Sequence, residues 1–231
     1  LFVGWHLSHL GGYQRGSDEG TYLMRVRLMQ QGYRLYSDIW TDQLPGMIEA
    51  LRLSFALLGS SVEIGRGLVT LMATVGLVSC ALLARQLAGR AGALAIVPLI
   101  AVLPNYFWLS RAIVSPDLPA ISLGAAGLAA AGRYIAKRRR GWQIASGLLF
   151  AMSLYVKVTA VLALLPAFLW LLIAFRRGRK RSIAQLADTI IPWGLAIALP
   201  FLLALGFHDL PAMWRQFVLT GPGRIRAKLK V

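Results

Sequence analysis

Residues 142–175 form a 34-residue apolar run interrupted by a single charge, Lys157. Basic clusters flank it, "KRRR" at 137–140 and "RRGRK" at 176–180. As one helix the run would be about 51 Å long at 1.5 Å per residue, against a hydrocarbon core of about 30 Å. Positive charge is retained on the cytoplasmic side of a membrane, so both flanks belong there. The run must therefore cross, turn and return, with Lys157 near the external apex. That constraint sets the parity of every other segment.

A span needs about 20 apolar residues. The candidates are 67–84, 91–109, 118–136, 142–156, 158–175 and 187–207. Counting back from the hairpin, 118–136 runs inward, 91–109 outward and 67–84 inward, which leaves residues 13–66 outside. Residues 13–44 are too polar to span, but the segment holds two helix-like pieces. "TYLMRVRLMQQ" at 21–31 places Tyr22, Val26 and Met29 on one face and Arg25 and Arg27 elsewhere. "GMIEALRLSFALL" at 46–58 is apolar but carries Glu49 and Arg52. Both suit helices lying in the membrane interface. The expected fold class is an all-α polytopic transmembrane helix bundle. Its expected organisation is the end of a truncated first transmembrane helix at 1–12, an external loop with interfacial helices at 13–66, about six spans at 67–207, and an external segment at 208–231. The chain opens without Met inside an apolar stretch, so a fragment of a longer membrane protein is expected.

Composition narrows the function. The chain is 57% hydrophobic and 15% charged, where a soluble domain is nearer a quarter charged. Its net charge of +16, from 25 Lys+Arg against 9 Asp+Glu, would suggest nucleic-acid binding in a soluble protein. Here the basic residues sit in short clusters between apolar runs. They set topology, and nucleic acid is not an expected partner. One cysteine, Cys80, excludes a disulfide within the chain and a cysteine-based metal site. His6, His9 and His208 lack zinc-site spacing.

The acids are more telling. On this topology every Asp and Glu except Asp188 lies on the external side. Asp18 and Glu19 adjoin in "GSDEGTYL"; Asp38 and Asp42 follow in "LYSDIWTDQLPG", and Asp117 in "SPDLPA". Each has an ordinary explanation, as a helix cap, a first-turn acid or a turn residue. None of these explains why the acids gather on one face. Lys157 is the strongest single candidate, because an ionisable residue at membrane depth is functional by default. Its ordinary explanation is snorkelling to the headgroups, but "YVKVTA" lacks the Gly, Asn or Pro of a solvated turn.

The stretch "SDEGTYLMRVRLMQQGYRLYSDIWTDQLPG" resembles the first external loop of multi-spanning lipid-linked glycosyltransferases of the GT-C fold, specifically the family 39 protein mannosyltransferase and aminoarabinose-transferase group. The resemblance rests on the pair Asp18-Glu19, on Tyr22, on "GYRLYSD" ending at Asp38, and on "TDQLPG" with Asp42 ahead of Pro45. "LSRAIVSPDLPAISL" resembles the second external loop, and "AMSLYVKVTAVLALLP" resembles the segment whose lysine reaches the lipid phosphate. The match covers most of residues 13–175. It departs at Gln43 and Leu44, where members often carry Lys-Pro, and at Thr21, where some carry a phosphate-binding Arg.

The resemblance implies a membrane glycosyltransferase that moves a sugar, with inversion, from a polyprenyl-phosphate donor to an acceptor glycan, lipid or protein. The active site would lie on the external or periplasmic face of the plasma (inner) membrane. Asp18 is then the general base with Glu19 as its neighbour. Lys157, Tyr22, Asp38 and Arg111 bind substrate and phosphate. The leaving phosphate needs cationic stabilisation from Lys157, joined by Arg111 or by a divalent cation held on Asp42 and Asp117 through oxygen ligands; no cofactor is certain. The main rival is a transporter or lipid flippase that uses the external acids and Lys157 for coupling. It requires paired charges near the midplane and repeat symmetry. A non-catalytic scaffold is the other alternative. The topology itself has a direct test. With Cys80→Ser as background, Ser37→Cys should label with an impermeant maleimide in intact cells, and Arg139→Cys only after permeabilisation.

Overall fold

The computed structural model describes residues 4, 10–11, 17–104, 106, 114–176 and 183–220. Among the described residues two short helices precede the bundle, α1 (Ser17–Gln30) and α2 (Gly46–Leu58). The bundle follows as α3 (Val62–Ala101), α4 (Asp117–Lys137), α5 (Arg140–Val156), α6 (Val161–Arg176) and α7 (Ile183–Gly206). A 3-10 turn at Val158–Ala160 joins α5 to α6, and the one-turn α8 (Leu210–Trp214) runs into a π-helical turn, Arg215–Thr220.

Among the described residues four helices are long and apolar enough to cross a membrane: Val62–Ala101, Asp117–Lys137, Val158–Phe175 and Leu186–Gly206. The 17-residue α5 is shorter, about 26 Å. The sequence separates 67–84 from 91–109, whereas α3 carries both in one 40-residue element. The physical break is Gly89, at φ 70° and ψ −160°, a backbone region open essentially to glycine. The corner is tight, because a Cβ on Gly92 would lie 2.7 Å from the Ala88 Cβ. Residues 85–90, with Arg85 and Arg90, are exposed there.

Helix α4 is the hub, packed against α3, α5 and α6, while α5 also packs on α7. Its Ala/Gly-rich stretch makes this possible, since small residues let membrane helices approach closely. A Cβ at Gly127 would sit 3.0 Å from the Phe150 ring, and one at Gly124 3.3 Å from the Ala163 Cβ. Phe150 is fully buried and meets Trp193 edge-on at 5.9 Å. Apolar burial drives little inside lipid, so polar side chains help bind the helices. The Ser146 hydroxyl donates to the Gly127 carbonyl at 2.8 Å, and the Ser153 hydroxyl to the Ala120 carbonyl at 2.6 Å.

Helices α1 and α2 cover one end of this bundle. Helix α2 buries Met47, Ile48, Leu51 and Phe55 and leaves Arg52, Leu53, Leu57 and Leu58 exposed. From α1, Tyr22 and Val26 enter the same core, together with Val69 and Ala73 of α3 and Leu118 and Leu123 of α4. The 33–45 loop between them is pinned by Tyr36. That side chain is buried, donates to the Gln43 carbonyl at 2.8 Å and holds a left-handed φ of 71°. Helix α2 begins against the end of α5. A Cβ on Gly46 would lie 2.5 Å from the Tyr155 carbonyl oxygen, a backbone atom with no room to yield. Gly46→Ala is therefore expected to destabilise the purified protein by about 1–3 kcal/mol. Thermal unfolding in detergent measures this as a lowered midpoint.

Candidate active site

The hairpin apex forms as the sequence requires. Lys157 caps α5 in an extended conformation, and the chain then turns through Val158–Ala160 into α6. Its ammonium group pairs with Asp117, the first residue of α4. Asp117 also accepts from the Ser115 hydroxyl at 3.3 Å. This pair forms one wall of a cavity of about 830 Å³. The other walls are α1 and the 38–43 loop. Of the residues singled out from sequence, Asp18, Tyr22, Asp38, Asp42, Asp117 and Lys157 all line it. Arg111 lies outside the described residues.

Glu19 is placed elsewhere. Adjacent residues on a helix point about 100° apart, so Asp18 and Glu19 part company. Asp18 is exposed at the cavity in the first turn of α1. Among the described residues its carboxylate has no hydrogen bond or ion pair. Glu19 is 2% exposed and forms a two-pronged ion pair with Arg66 of α3, itself 3% exposed. The Nε and Nη2 groups of Arg66 each donate to one Glu19 oxygen at 2.8 Å. Another N–H of Arg66 donates to the Leu10 carbonyl.

The remaining acids are partly engaged. One Asp38 oxygen accepts the Arg34 backbone N–H at 2.8 Å and closes a turn. Asp42 lies 4.0 Å from Arg25. With Asp117 on Lys157 and Asp42 facing Arg25, the two residues suggested as oxygen ligands each face a cation. Among the described residues no three His, Cys, Asp or Glu side chains converge to hold a metal ion. Among the described residues this donor set does not fit a divalent cation.

Arg25 was missed at the sequence level. It is 8% exposed and lines the cavity, with its guanidinium 5.7 Å from the Tyr22 ring centroid. The signal was present in the spacing: residues 18, 22 and 25 recur at i, i+4 and i+7, one face of a helix. Burial drives the Tyr22 phenol well above its usual range, opposed by Arg25, so it stays a neutral hydrogen-bond donor. The other missed residue is Gln216 in the terminal π turn. Its side-chain carbonyl accepts from the Thr41 N–H at 2.8 Å, and its amide donates to the Tyr36 carbonyl. It clasps the loop that carries Asp38 and Asp42.

Two further hollows adjoin. An apolar groove of about 390 Å³ starts at Asp117 and Lys157 and runs between α4 and α6 past Ile121, Leu128 and Leu162. A mixed cavity of about 730 Å³ lies between the 33–37 loop, α2 and residues 207–209. There Tyr155 and His208 share a 2.9 Å hydrogen bond, and burial lowers the His208 pKa.

A sequence model of the dolichyl-phosphate-mannose-protein mannosyltransferase family matches residues 45–204. No curated protein sequence matches the chain. Two crystal structures of ArnT from Cupriavidus metallidurans share its fold. The form bound to undecaprenyl phosphate gives a TM-score of 0.70 at 19% identity, over 94% of this chain and 42% of that one. The apo form gives 0.69 at 20% identity, over 93% and 42%. The chain thus spans about two-fifths of the length of the structures it matches.

The two neighbouring acids should behave oppositely on mutation. Removing one partner of a buried ion pair costs about 3–5 kcal/mol, because the other charge is stranded. Glu19→Ala and Arg66→Ala are each expected to lower the unfolding midpoint steeply, and Asp18→Asn to leave it nearly unchanged. Thermal melts of the three variants in one detergent compare them directly.

Proposed function

Because the chain belongs to the dolichyl-phosphate-mannose-protein mannosyltransferase family, we propose that it is the donor-binding part of a membrane glycosyltransferase. It would take a sugar from a polyprenyl-phosphate carrier and pass it to an acceptor at the non-cytoplasmic face. The observation that carries this reading is the meeting of a polar cavity and an apolar groove at one ion pair, Asp117–Lys157. An amphiphile with an anionic head and a long apolar tail fits that junction. Its phosphate would sit at Lys157, its sugar would extend toward Asp18, and its chain would run between α4 and α6 into lipid.

Transfer on this reading is a single displacement at the anomeric carbon. The acceptor oxygen or nitrogen forms the new bond as the bond from that carbon to the phosphate oxygen breaks. The electron pair leaves on the phosphate, and the acceptor's proton passes to Asp18. Asp18 suits the role as the cavity acid with no hydrogen bond or ion pair among the described residues. The phosphate is a good leaving group and needs no general acid. Lys157 neutralises the charge that builds on it, and a fixed cation in a partly desolvated site is effective at this. Backside attack gives inversion.

The position along the membrane normal supports the proposed face. Helix α4 begins at Asp117 in the cavity and ends at Lys137 beside the basic cluster. Its 21 residues span about 31 Å, one hydrocarbon thickness. If the cluster stays cytoplasmic, the cavity opens on the other side. The ion pairs of the described residues lie on α1 and α2, in the loop between them or near the ends of the bundle helices, which does not favour the transporter reading.

The test uses the full-length protein in membranes with a panel of polyprenyl-phosphate sugars, reading release of polyprenyl phosphate. Asp18→Asn is expected to slow release about 10²–10⁴-fold, the usual worth of a general base. Lys157→Ala should also lose release, with both variants inserting normally. Equal release from wild type and both variants sinks the mechanism.

A further inference from the structure

We propose that Arg25 is a phosphate-binding residue of this site, gripping the donor's phosphate from α1 opposite Lys157. The inference rests on the donor reading above and adds a second cation that the sequence pattern alone had placed away from the site. Three observations carry it. Arg25 lines the same cavity as Asp18 and Lys157. It is more than nine-tenths buried, at 8% exposure. Its guanidinium is not engaged as a structural arginine would be.

The third point follows from comparison with Arg66. That arginine is buried too, at 3% exposure, and three of its N–H groups are accounted for by Glu19 and Leu10. A buried guanidinium is costly unless its donors are met. Arg25 has five N–H donors, and among the described residues none makes a hydrogen bond. Its nearest acid, Asp42, stands at 4.0 Å with a half-exposed side chain, a contact at the limit of an ion pair. The Tyr22 ring below supplies a cation–π contact at 5.7 Å, which orients the group without using an N–H. A desolvated, oriented fork with free donors is built to receive an oxyanion. A phosphodiester presents two non-bridging oxygens, and arginine binds such pairs through two parallel hydrogen bonds.

The charge balance of the cavity points the same way. Among the described residues Asp18, Asp38, Asp42 and Asp117 line it beside two cations, Arg25 and Lys157. Lys157 is already paired with Asp117. An anionic ligand entering among four carboxylates needs a cation that is not committed, and Arg25 is the one best placed. Asp42, exposed and loosely held, can give way as the phosphate arrives.

The experiment measures binding of undecaprenyl phosphate and, separately, of undecaprenol to the full-length protein in detergent micelles, beside sugar release in membranes. Arg25→Ala is expected to weaken undecaprenyl phosphate binding about 10- to 100-fold and leave undecaprenol binding unchanged. Arg25→Lys should recover only part, because an ammonium cannot make the paired hydrogen bonds. Thr21→Arg, introduced into Arg25→Ala, should restore phosphate binding, since Thr21 lines the same cavity. Unchanged phosphate binding in a normally folded Arg25→Ala overturns the proposal. Equal loss of both lipids with no rescue by Thr21→Arg also overturns it and leaves Arg25 a structural residue. The donor reading fails separately. If wild type binds undecaprenyl phosphate through Arg25 yet releases it from no sugar donor, the enzyme assignment falls and Arg25 stands. If wild type prefers undecaprenyl phosphate no more than undecaprenol, both fall.

Discussion

The buried pair between Glu19 and Arg66 fastens helix α1 to the membrane bundle. Helix α1 buries Tyr22 and Val26 in the shared core. Two short charge-assisted hydrogen bonds in a desolvated setting add to that hold. They fix the rotation of α1 about its own axis as well as its position. With Glu19 turned inward to α3, helical geometry turns Asp18, Tyr22 and Arg25 together toward the cavity. The candidate site follows from that one rotational choice.

The opposite wall is set by the bilayer. A 34-residue apolar run cannot stay straight within one membrane thickness, so it folds at Lys157 and presents that lysine where α4 begins. Asp117 at the head of α4 meets it, and the Ala/Gly surface of α4 lets α3, α5 and α6 close around the hub. A polar cavity above and an apolar groove beside the same ion pair are the geometric result. Polar and apolar surface thus meet at one ion pair.

Acids dominate the cavity, and they serve different ends. Asp38 closes the turn at Arg34, Asp117 steadies Lys157, and Asp42 stands loosely by Arg25. Only Asp18 is left with its oxygens uncommitted among the described residues. The four carboxylates of the cavity thus stand in four different environments.

The sequence by itself determined the all-α membrane architecture, the break of the apolar run at Lys157, the helix at 46–58, and the gathering of Asp18, Asp38, Asp42 and Asp117 with Lys157 at one end. Those features follow from hydropathy, charge bias and chain parity, which are one-dimensional quantities. The tertiary structure decided what depends on rotation and on distant contacts. It joined 67–84 and 91–109 through Gly89, because a single glycine in a glycine-only conformation bends the chain without a loop. It sent Glu19 into the core and brought Arg25 to the cavity, because the partner that settles the rotation, Arg66, lies 47 residues away. It clasped the 33–45 loop with Gln216, because that contact closes across 175 residues or more of chain. Periodicity tells which residues share a face; only packing tells which way the face points.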